Sequence, residues 1–177
     1  IVGQKLPFAL AAGCTAVVKP SELTSGSTLL LGEILAEAGV PDGVVNIITG
    51  TGADVGQHMS MHPDVDMVSF TGSTGVGKLT MANAAQTLKK VSLELGGKNP
   101  QILFPDADMD AFIDAAVFGA WFNAGECCNA GSRLIVHRSI VDEIVERVAD
   151  LSKKVIVGDP LDVSTQVGAI ITPQHLT

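Results

Sequence analysis

The sequence predicts an α/β fold, a parallel sheet with crossover helices followed by the start of a second α/β domain. Three observations carry that reading. Short β-branched runs alternate with longer stretches of helical periodicity, the rhythm of strand, crossover helix and parallel strand. The composition, 46% hydrophobic and 17% charged with 19 glycines among 177 residues, suits a chain that buries a core, and no tract is of low complexity. The alternation also breaks at Gly96-Gly97 and restarts, which divides the chain into residues 1–95 and 96–177.

Each element follows from local chemistry. Thr15-Ala16-Val17-Val18-Lys19 is β-branched and ends at Pro20, which has no N–H to continue a ladder, so it reads as the first strand. Thr24 then caps a helix whose apolar positions Leu30, Leu31, Ile34 and Leu35 precede the stop Gly39-Val40-Pro41. Val44-Val45-Asn46-Ile47-Ile48 is the next strand, and Gly50-Thr51-Gly52 breaks it ahead of a shorter helix reaching about His58. Asp66-Met67-Val68-Ser69-Phe70 is a third strand, whose glycine-rich exit from Thr71 to Gly77 leads to a helix from Lys78 to about Gln86. Lys89 to Leu95 forms the fourth.

Beyond the glycine pair come a strand at Gln101 to Phe104, a helix capped by Asp106 or Asp108 that runs through Ala116 to Phe122, and a strand at Arg133 to His137. A helix from about Val141 to Lys154 carries Val141, Ile144, Val145 and Val148 on its apolar positions. A loop at Gly158-Asp159-Pro160 then leads toward Ala169-Ile170-Ile171. Phe118, Trp121 and Phe122 recur at helical spacing and are expected to pack against a sheet, with an aromatic substrate wall near the cysteines as the alternative. No internal repeat is found.

The formal net charge is -8, and the 11 Lys and Arg residues are dispersed, which argues against a nucleic-acid partner because phosphate binding needs clustered cations. No apolar run reaches the roughly 18 residues of a membrane span, and no charged segment precedes an apolar run with a small-residue cleavage site. The sequence opens at Ile1 and is expected to start partway through a longer protein. Cys14, Cys127 and Cys128 form no spaced disulfide framework, so a reducing, cytoplasmic setting is expected. His58, His62, His137 and His175 show no ligand spacing with cysteine or carboxylate, and no catalytic metal is expected.

Four motifs carry chemistry. Gly72-Ser73-Thr74-Gly75-Val76-Gly77 lies between a predicted strand and a predicted helix, where close backbone approach and unpaired N–H groups suit a diphosphate. Gly72 to Lys78 also satisfies the start of a P-loop, but Leu79 stands where a magnesium-holding Ser or Thr is required, which argues against a nucleoside triphosphatase. Taken alone the turn can also be read as a plain helix start. Glu22 follows the first strand at a carboxyl-end position, where a carboxylate can accept from ribose hydroxyls and repel a 2'-phosphate, or simply be solvated.

Glu94 ends an apolar strand just before a glycine pair, which makes it a candidate base facing a cleft or else an exposed strand-end carboxylate. The turn Gly125-Glu126-Cys127-Cys128-Asn129-Ala130-Gly131 sets a thiol among small residues that admit a substrate. The Cys128 N–H is a candidate oxyanion donor there. Buried, inert cysteine is the commoner fate of the residue, and the doublet leaves open which thiol attacks.

Val18-Lys19-Pro20-Ser21-Glu22, Phe70-Thr71-Gly72-Ser73-Thr74 to Gly77, Leu93-Glu94-Leu95-Gly96-Gly97-Lys98 and Gly125-Glu126-Cys127-Cys128 occur in one order along the chain. In that order and spacing the chain resembles, essentially end to end, the central part of an NAD(P)-dependent aldehyde dehydrogenase. The resemblance implies part of a Rossmann-like cofactor-binding domain over 1–95 and part of a catalytic domain, its start, over 96–177. It implies that Lys19 and Glu22 bind the adenosine ribose, Gly52 borders the adenine, and Gly72, Ser73 and Gly77 meet the diphosphate. It implies Glu94 as general base, Cys128 rather than Cys127 as nucleophile, and the Leu95 carbonyl near the nicotinamide ribose or the catalytic water.

The implied chemistry is covalent: the thiolate adds to an aldehyde, the thiohemiacetal gives up hydride to the nicotinamide, and Glu94-activated water hydrolyses the thioester to a carboxylic acid. NAD is the expected cofactor, with NADP possible, and the whole protein is expected to be a homo-oligomer. Glu126 stands where the family more often has glutamine, and Trp121 replaces its usual phenylalanine or small apolar residue. The family's oxyanion-hole asparagine and its second ribose-binding carboxylate find no counterpart, so the sequence reads as roughly the middle third of a full protein. The rival readings are a truncated, non-catalytic fragment of such an enzyme and a relative that passes the acyl group to coenzyme A or phosphate. Glu94 counts against the latter. A purely structural α/β module is the remaining alternative.

Overall fold

A computed structural model describes residues 1–176. The chain divides into two compact units, Ile1–Leu95 and Gly96–Thr177. The first opens with a 3-10 turn at Val2–Gln4 and a short helix α1 (Leu6–Ala11) that the sequence pattern did not signal. The helix has no polar cap bond and too few residues to display a period, so only the proline in its first turn marked it.

Two parallel strand pairs follow. β1 (Ala16–Val18) pairs with β2 (Val45–Ile47) across the crossover helix α2 (Ser25–Glu37). Thr24 is the N-cap of α2 but makes no side-chain cap bond. After β2 the chain turns through a π-helical stretch, Gly52–Gly56, where Thr51 Oγ1 accepts from the Asp54 N–H at 3.1 Å. The helix α3 (Gln57–Met61) continues it.

β3 (Met67–Gly72) and β4 (Lys90–Leu95) then pair in parallel along their whole lengths, from Met67 opposite Lys90 to Gly72 opposite Leu95, with α4 (Thr74–Ala85) crossing between them. The helix α4 begins ahead of the expected Lys78. Ser73 Oγ accepts from the Val76 N–H at 3.3 Å, and that cap draws the glycine-rich stretch into the first helical turn. Asn83 of α4 donates to Ser60 Oγ of α3 at 2.9 Å, and Ser60 in turn donates to the Gln57 carbonyl at 2.7 Å, so this buried polar contact is fully paired.

In the second unit β5 (Pro100–Leu103) and β6 (Arg133–Val136) pair in parallel, with α5 (Met109–Trp121) between them and α6 (Val141–Ser152) after them. Of the two candidate caps for α5, Asp108 serves, accepting from the Ala111 N–H at 3.1 Å. Leu103, Ile113 and Ile144 form the core, ringed by Met109, Phe112, Val136, Ile140, Val148 and Leu151. Ala169-Ile170-Ile171 forms no strand; an isolated bridge joins Val157 and Val167, and a short helix α7 (Pro173–Leu176) follows.

The aromatic residues do not pack as expected. The helix α5 turns Ile113, Ala116 and Val117 inward, which leaves Phe118 outward, where it meets the exposed Phe122 just past the helix end at 5.0 Å between ring centres. Trp121 is 45% exposed and donates from Nε1 to Ser152 Oγ at 3.1 Å.

Ile144 is fully buried, whereas its neighbour Val145 is 60% exposed. Ile144→Ala is therefore expected to cost about 2–5 kcal/mol in urea denaturation, through lost transfer energy and the cavity left behind. Val145→Ala is expected to stay within about 0.5 kcal/mol.

Candidate functional site

In the first unit the sequence-predicted residues sit at the carboxyl ends of parallel strands, where α/β sheets hold ligands. Lys19 follows β1, and its half-buried side chain crosses to the loop after β2, donating to the carbonyls of Pro20 at 2.7 Å and Gly50 at 3.1 Å. Glu22 lies 3.6 Å from the Lys19 ammonium and is the more exposed partner, 54% against 14%. Its own N–H is the main group holding its carboxyl below the ordinary carboxylate range, with the Lys19 charge and the Gly52 N–H adding to the effect. The backbone beside Gly52 is open, with no atom within 4 Å of where a Cβ would stand.

Gly72 ends β3 and Ser73 caps α4, so the N–H groups of Thr74 and Gly75 have no intrahelical acceptor. Gly72 and Gly77 also have packing reasons to be glycine. A Cβ at Gly72 would stand 2.6 Å from the Phe70 ring, and one at Gly77 would stand 2.6 Å from Leu95 Cδ2. The open glycine of this turn is Gly75, which has nothing within 4 Å of a built Cβ.

Glu94 is exposed on β4, opposite Thr71. Residues opposed in a parallel pair point to the same face, so Ser69, Thr71, Ser92 and Glu94 form one polar face. Lys5, absent from the sequence-derived candidates, joins that face by donating from Nζ to Ser69 Oγ at 2.8 Å. Burial pushes the Lys5 ammonium below the usual lysine range, and the Glu94 carboxylate partly offsets this. A single lysine between two apolar stretches, Ile1-Val2 and Leu6-Pro7-Phe8, is the only trace of it in the sequence.

In the second unit the cysteine turn follows α5. Cys128 is exposed and Cys127 half-buried, and both are free thiols, as is Cys14. Asn123, Ala124 and Gly125 take left-handed φ values of 52°, 56° and 74° in succession. Gly125 is required twice over, because a Cβ there would also approach the Ala120 carbonyl oxygen to 3.0 Å.

Hydrogen bonds hold this turn. The Ala130 N–H donates to the Cys127 carbonyl at 3.0 Å, the Gly131 N–H to the Gly119 carbonyl at 3.0 Å, and Gln101 Nε2 to the Gly131 carbonyl at 2.9 Å. Asn99 Nδ2 donates to the carbonyl of Cys128 itself at 2.8 Å. Glu126 meets His175 Nδ1 at 3.2 Å. Among the described residues no group of three His, Cys, Asp or Glu side chains is arranged to hold a metal, and no helix is long and apolar enough to cross a membrane.

A sequence model described as the aldehyde dehydrogenase family matches residues 1–177. The chain belongs to the aldehyde dehydrogenase family. It is 48% identical over 168 residues to a chloroplastic betaine aldehyde dehydrogenase of Beta vulgaris, covering 95% of this chain and 34% of that protein. With aldehyde dehydrogenase family 2 member C4 of Arabidopsis thaliana it shares 52% identity over 165 residues, 93% of this chain and 33% of the relative. Among solved structures it is similar to an NAD-dependent aldehyde dehydrogenase from Sinorhizobium meliloti, with a TM-score of 0.94 and 51% identity over 97% of this chain and 34% of that one. A betaine aldehyde dehydrogenase from Staphylococcus aureus, solved in complex with NAD+, gives a TM-score of 0.93 at 45% identity, again over 97% and 34%. The chain thus spans about a third of the length of the relatives it matches.

The lowered Glu22 carboxyl has a consequence for pH. The folded chain holds the carboxylate form more strongly than the unfolded chain does, so this contribution to stability is present above the ordinary glutamate range and is lost as the pH falls through the lower folded value. Carbon-detected NMR titration should give Glu22 a midpoint below that of an ordinary glutamate. Lys19→Met should move the midpoint upward but not fully back, because the backbone donors remain.

Proposed function

We propose that the protein containing this chain oxidises an aldehyde to a carboxylic acid, with Cys128 as nucleophile, Glu94 as general base and NAD as the cofactor. The observation that carries this reading is the state of Cys128: an exposed thiol on a turn whose backbone carbonyls are tied down, while among the described residues its own N–H meets no acceptor. The family match over the whole chain supports the same assignment.

Two features support a dinucleotide. Glu22 offers an exposed carboxylate beside the open backbone at Gly52, suited to ribose hydroxyls and unfavourable to a 2'-phosphate, and Lys19 steadies it. The start of α4 offers the N–H groups of Thr74 and Gly75 to a diphosphate beside Gly72, Ser73 and Gly77. Leu95 follows Glu94 at the end of β4, and its carbonyl is assigned to the nicotinamide end. When bound, the cofactor supplies the hydride acceptor.

The chain's own residues supply the rest. The Cys128 sulfur adds to the aldehyde carbon, a C–S bond forms, and the oxygen that takes up negative charge is met by the Cys128 N–H. Once the carbon is at the acyl level, Glu94 takes a proton from water, the hydroxide attacks the thioester carbon, and the C–S bond breaks to return the thiolate. The three free thiols suit a reducing compartment, and we assign the enzyme to the cytoplasm as a homo-oligomer.

In the full-length protein Cys128→Ala is expected to abolish the burst of reduced nucleotide, and Cys127→Ala to retain it. Glu94→Gln should keep a burst but slow the steady state by about 10²–10⁴-fold, the usual contribution of a general base. An unchanged burst in Cys128→Ala would transfer the nucleophile to Cys127.

A further inference from the structure

We propose that Asn99 is a positioning residue for the nucleophile, its side-chain amide holding the Cys128 carbonyl so that the Cys128 N–H stays available to the oxyanion. The inference rests on the reading of Cys128 as nucleophile and adds a residue that acts through it. Cys128 is exposed, so burial does not fix its backbone. The turn that carries it enters through Asn123 and Ala124, two non-glycine residues in left-handed conformation, a geometry that persists only where the surroundings enforce it.

The bond at 2.8 Å from Asn99 Nδ2 is, among the described residues, the one hydrogen bond made to the Cys128 carbonyl. Asn99 is itself anchored, since its own carbonyl accepts from the Arg133 N–H at 3.3 Å beside the β5–β6 ladder. The clamp is also closely fitted. A Cβ at Gly97 would stand 2.9 Å from the Cys128 carbonyl oxygen and 3.2 Å from Asn99 Nδ2, so the chain passes the nucleophile with room for glycine alone.

Orientation follows from peptide planarity. Fixing the carbonyl of residue 128 fixes one side of its Cα, and the Ala130 N–H fixes the Cys127 carbonyl on the other, within the same peptide unit as the Cys128 N–H. That N–H is the group left unpaired. Loss of the Asn99 bond frees one side of the nucleophile to rotate, and a misplacement of about 1 Å at a reacting group can cost up to about 10²-fold in rate.

The test uses the full-length protein with four variants. Asn99→Asp keeps the shape but sets an acceptor against the carbonyl, Asn99→Ala removes the donor, Asn99→Gln keeps an amide on a longer arm, and Gly97→Ala crowds the clamp while leaving residue 99 unchanged. The expected result is a pre-steady-state burst slowed about tenfold or more in the Asp, Ala and Gly97→Ala variants, with the aldehyde KM changed less than about twofold and partial recovery in Asn99→Gln. Iodoacetamide labelling, mapped by mass spectrometry, is expected to slow at Cys128 while labelling of Cys127 holds or rises.

A lowered melting temperature with unchanged burst rate and unchanged labelling in Asn99→Asp or Gly97→Ala would overturn the proposal, because a merely structural bond predicts that pattern. Should the Asn99 variants fail to fold, Gly97→Ala decides by the same two readouts. Cys128→Ala run alongside separates the two claims. A surviving burst there overturns the nucleophile reading, whereas a dead Cys128→Ala beside an unaffected Asn99→Asp overturns only the role of Asn99.

Discussion

The register between β3 and β4 is the constraint on which the first unit depends. Thr71 stands opposite Glu94 and Ser69 opposite Ser92, and partners across a parallel pair share a face. The polar residues therefore gather on one side, while half-buried Val68, Phe70, Val91 and Leu93 gather on the other. A slip of one residue would turn Glu94 into the apolar layer and expose the valines and leucines, which is why burial enforces this register. Lys5 reaches Ser69 and feels Glu94 only because the ladder places both on the face it covers. Only the lack of a side chain at Gly77 lets α4 lie this close to Leu95 of the strand that carries the candidate base.

The second unit positions its reactive residue by different means. Its core of Leu103, Ile113 and Ile144 fixes β5, α5 and α6, but the cysteine turn lies outside that core. Left-handed residues other than glycine, here Asn123 and Ala124, cost of order 1–3 kcal/mol each, and a hydrogen bond returns about 1 kcal/mol, so no single bond would hold the turn. Asn99, Gln101, Ala130 and Gly131 supply several, and His175 adds a contact at Glu126. One unit thus places its chemistry with a ladder and the other with a network of side-chain clamps. The difference matters because a ladder tolerates side-chain substitution, whereas a clamp fails with the loss of one donor.

Much of this was readable from local pattern. The strand at Lys89 to Leu95 and the break at Gly96-Gly97 follow from β-branched and apolar residues ending at a glycine pair, and the ladder ends at Leu95. The helix start at Asp108 was one of two candidates, and only the bond to the Ala111 N–H distinguishes it from Asp106. The start of α4 was misjudged, since glycines argue for a turn until a serine cap makes a helical turn the better-bonded alternative. The aromatic residues of α5 were misassigned because helical spacing identifies a face without saying which face meets the sheet.

Sequence alone determined the alternation of strands and helices, the division at Gly96-Gly97 and the thiol and carboxylate candidates, because periodicity, glycine placement and side-chain chemistry are properties of neighbouring residues. Tertiary structure decided that Lys5 joins the face bearing Glu94, that Gly75 rather than Gly72 or Gly77 is open, and that Asn99 holds the carbonyl of Cys128. Those contacts join residues far apart in the chain. Their partners are chosen by strand register and by packed volume, neither of which leaves a local mark in the sequence.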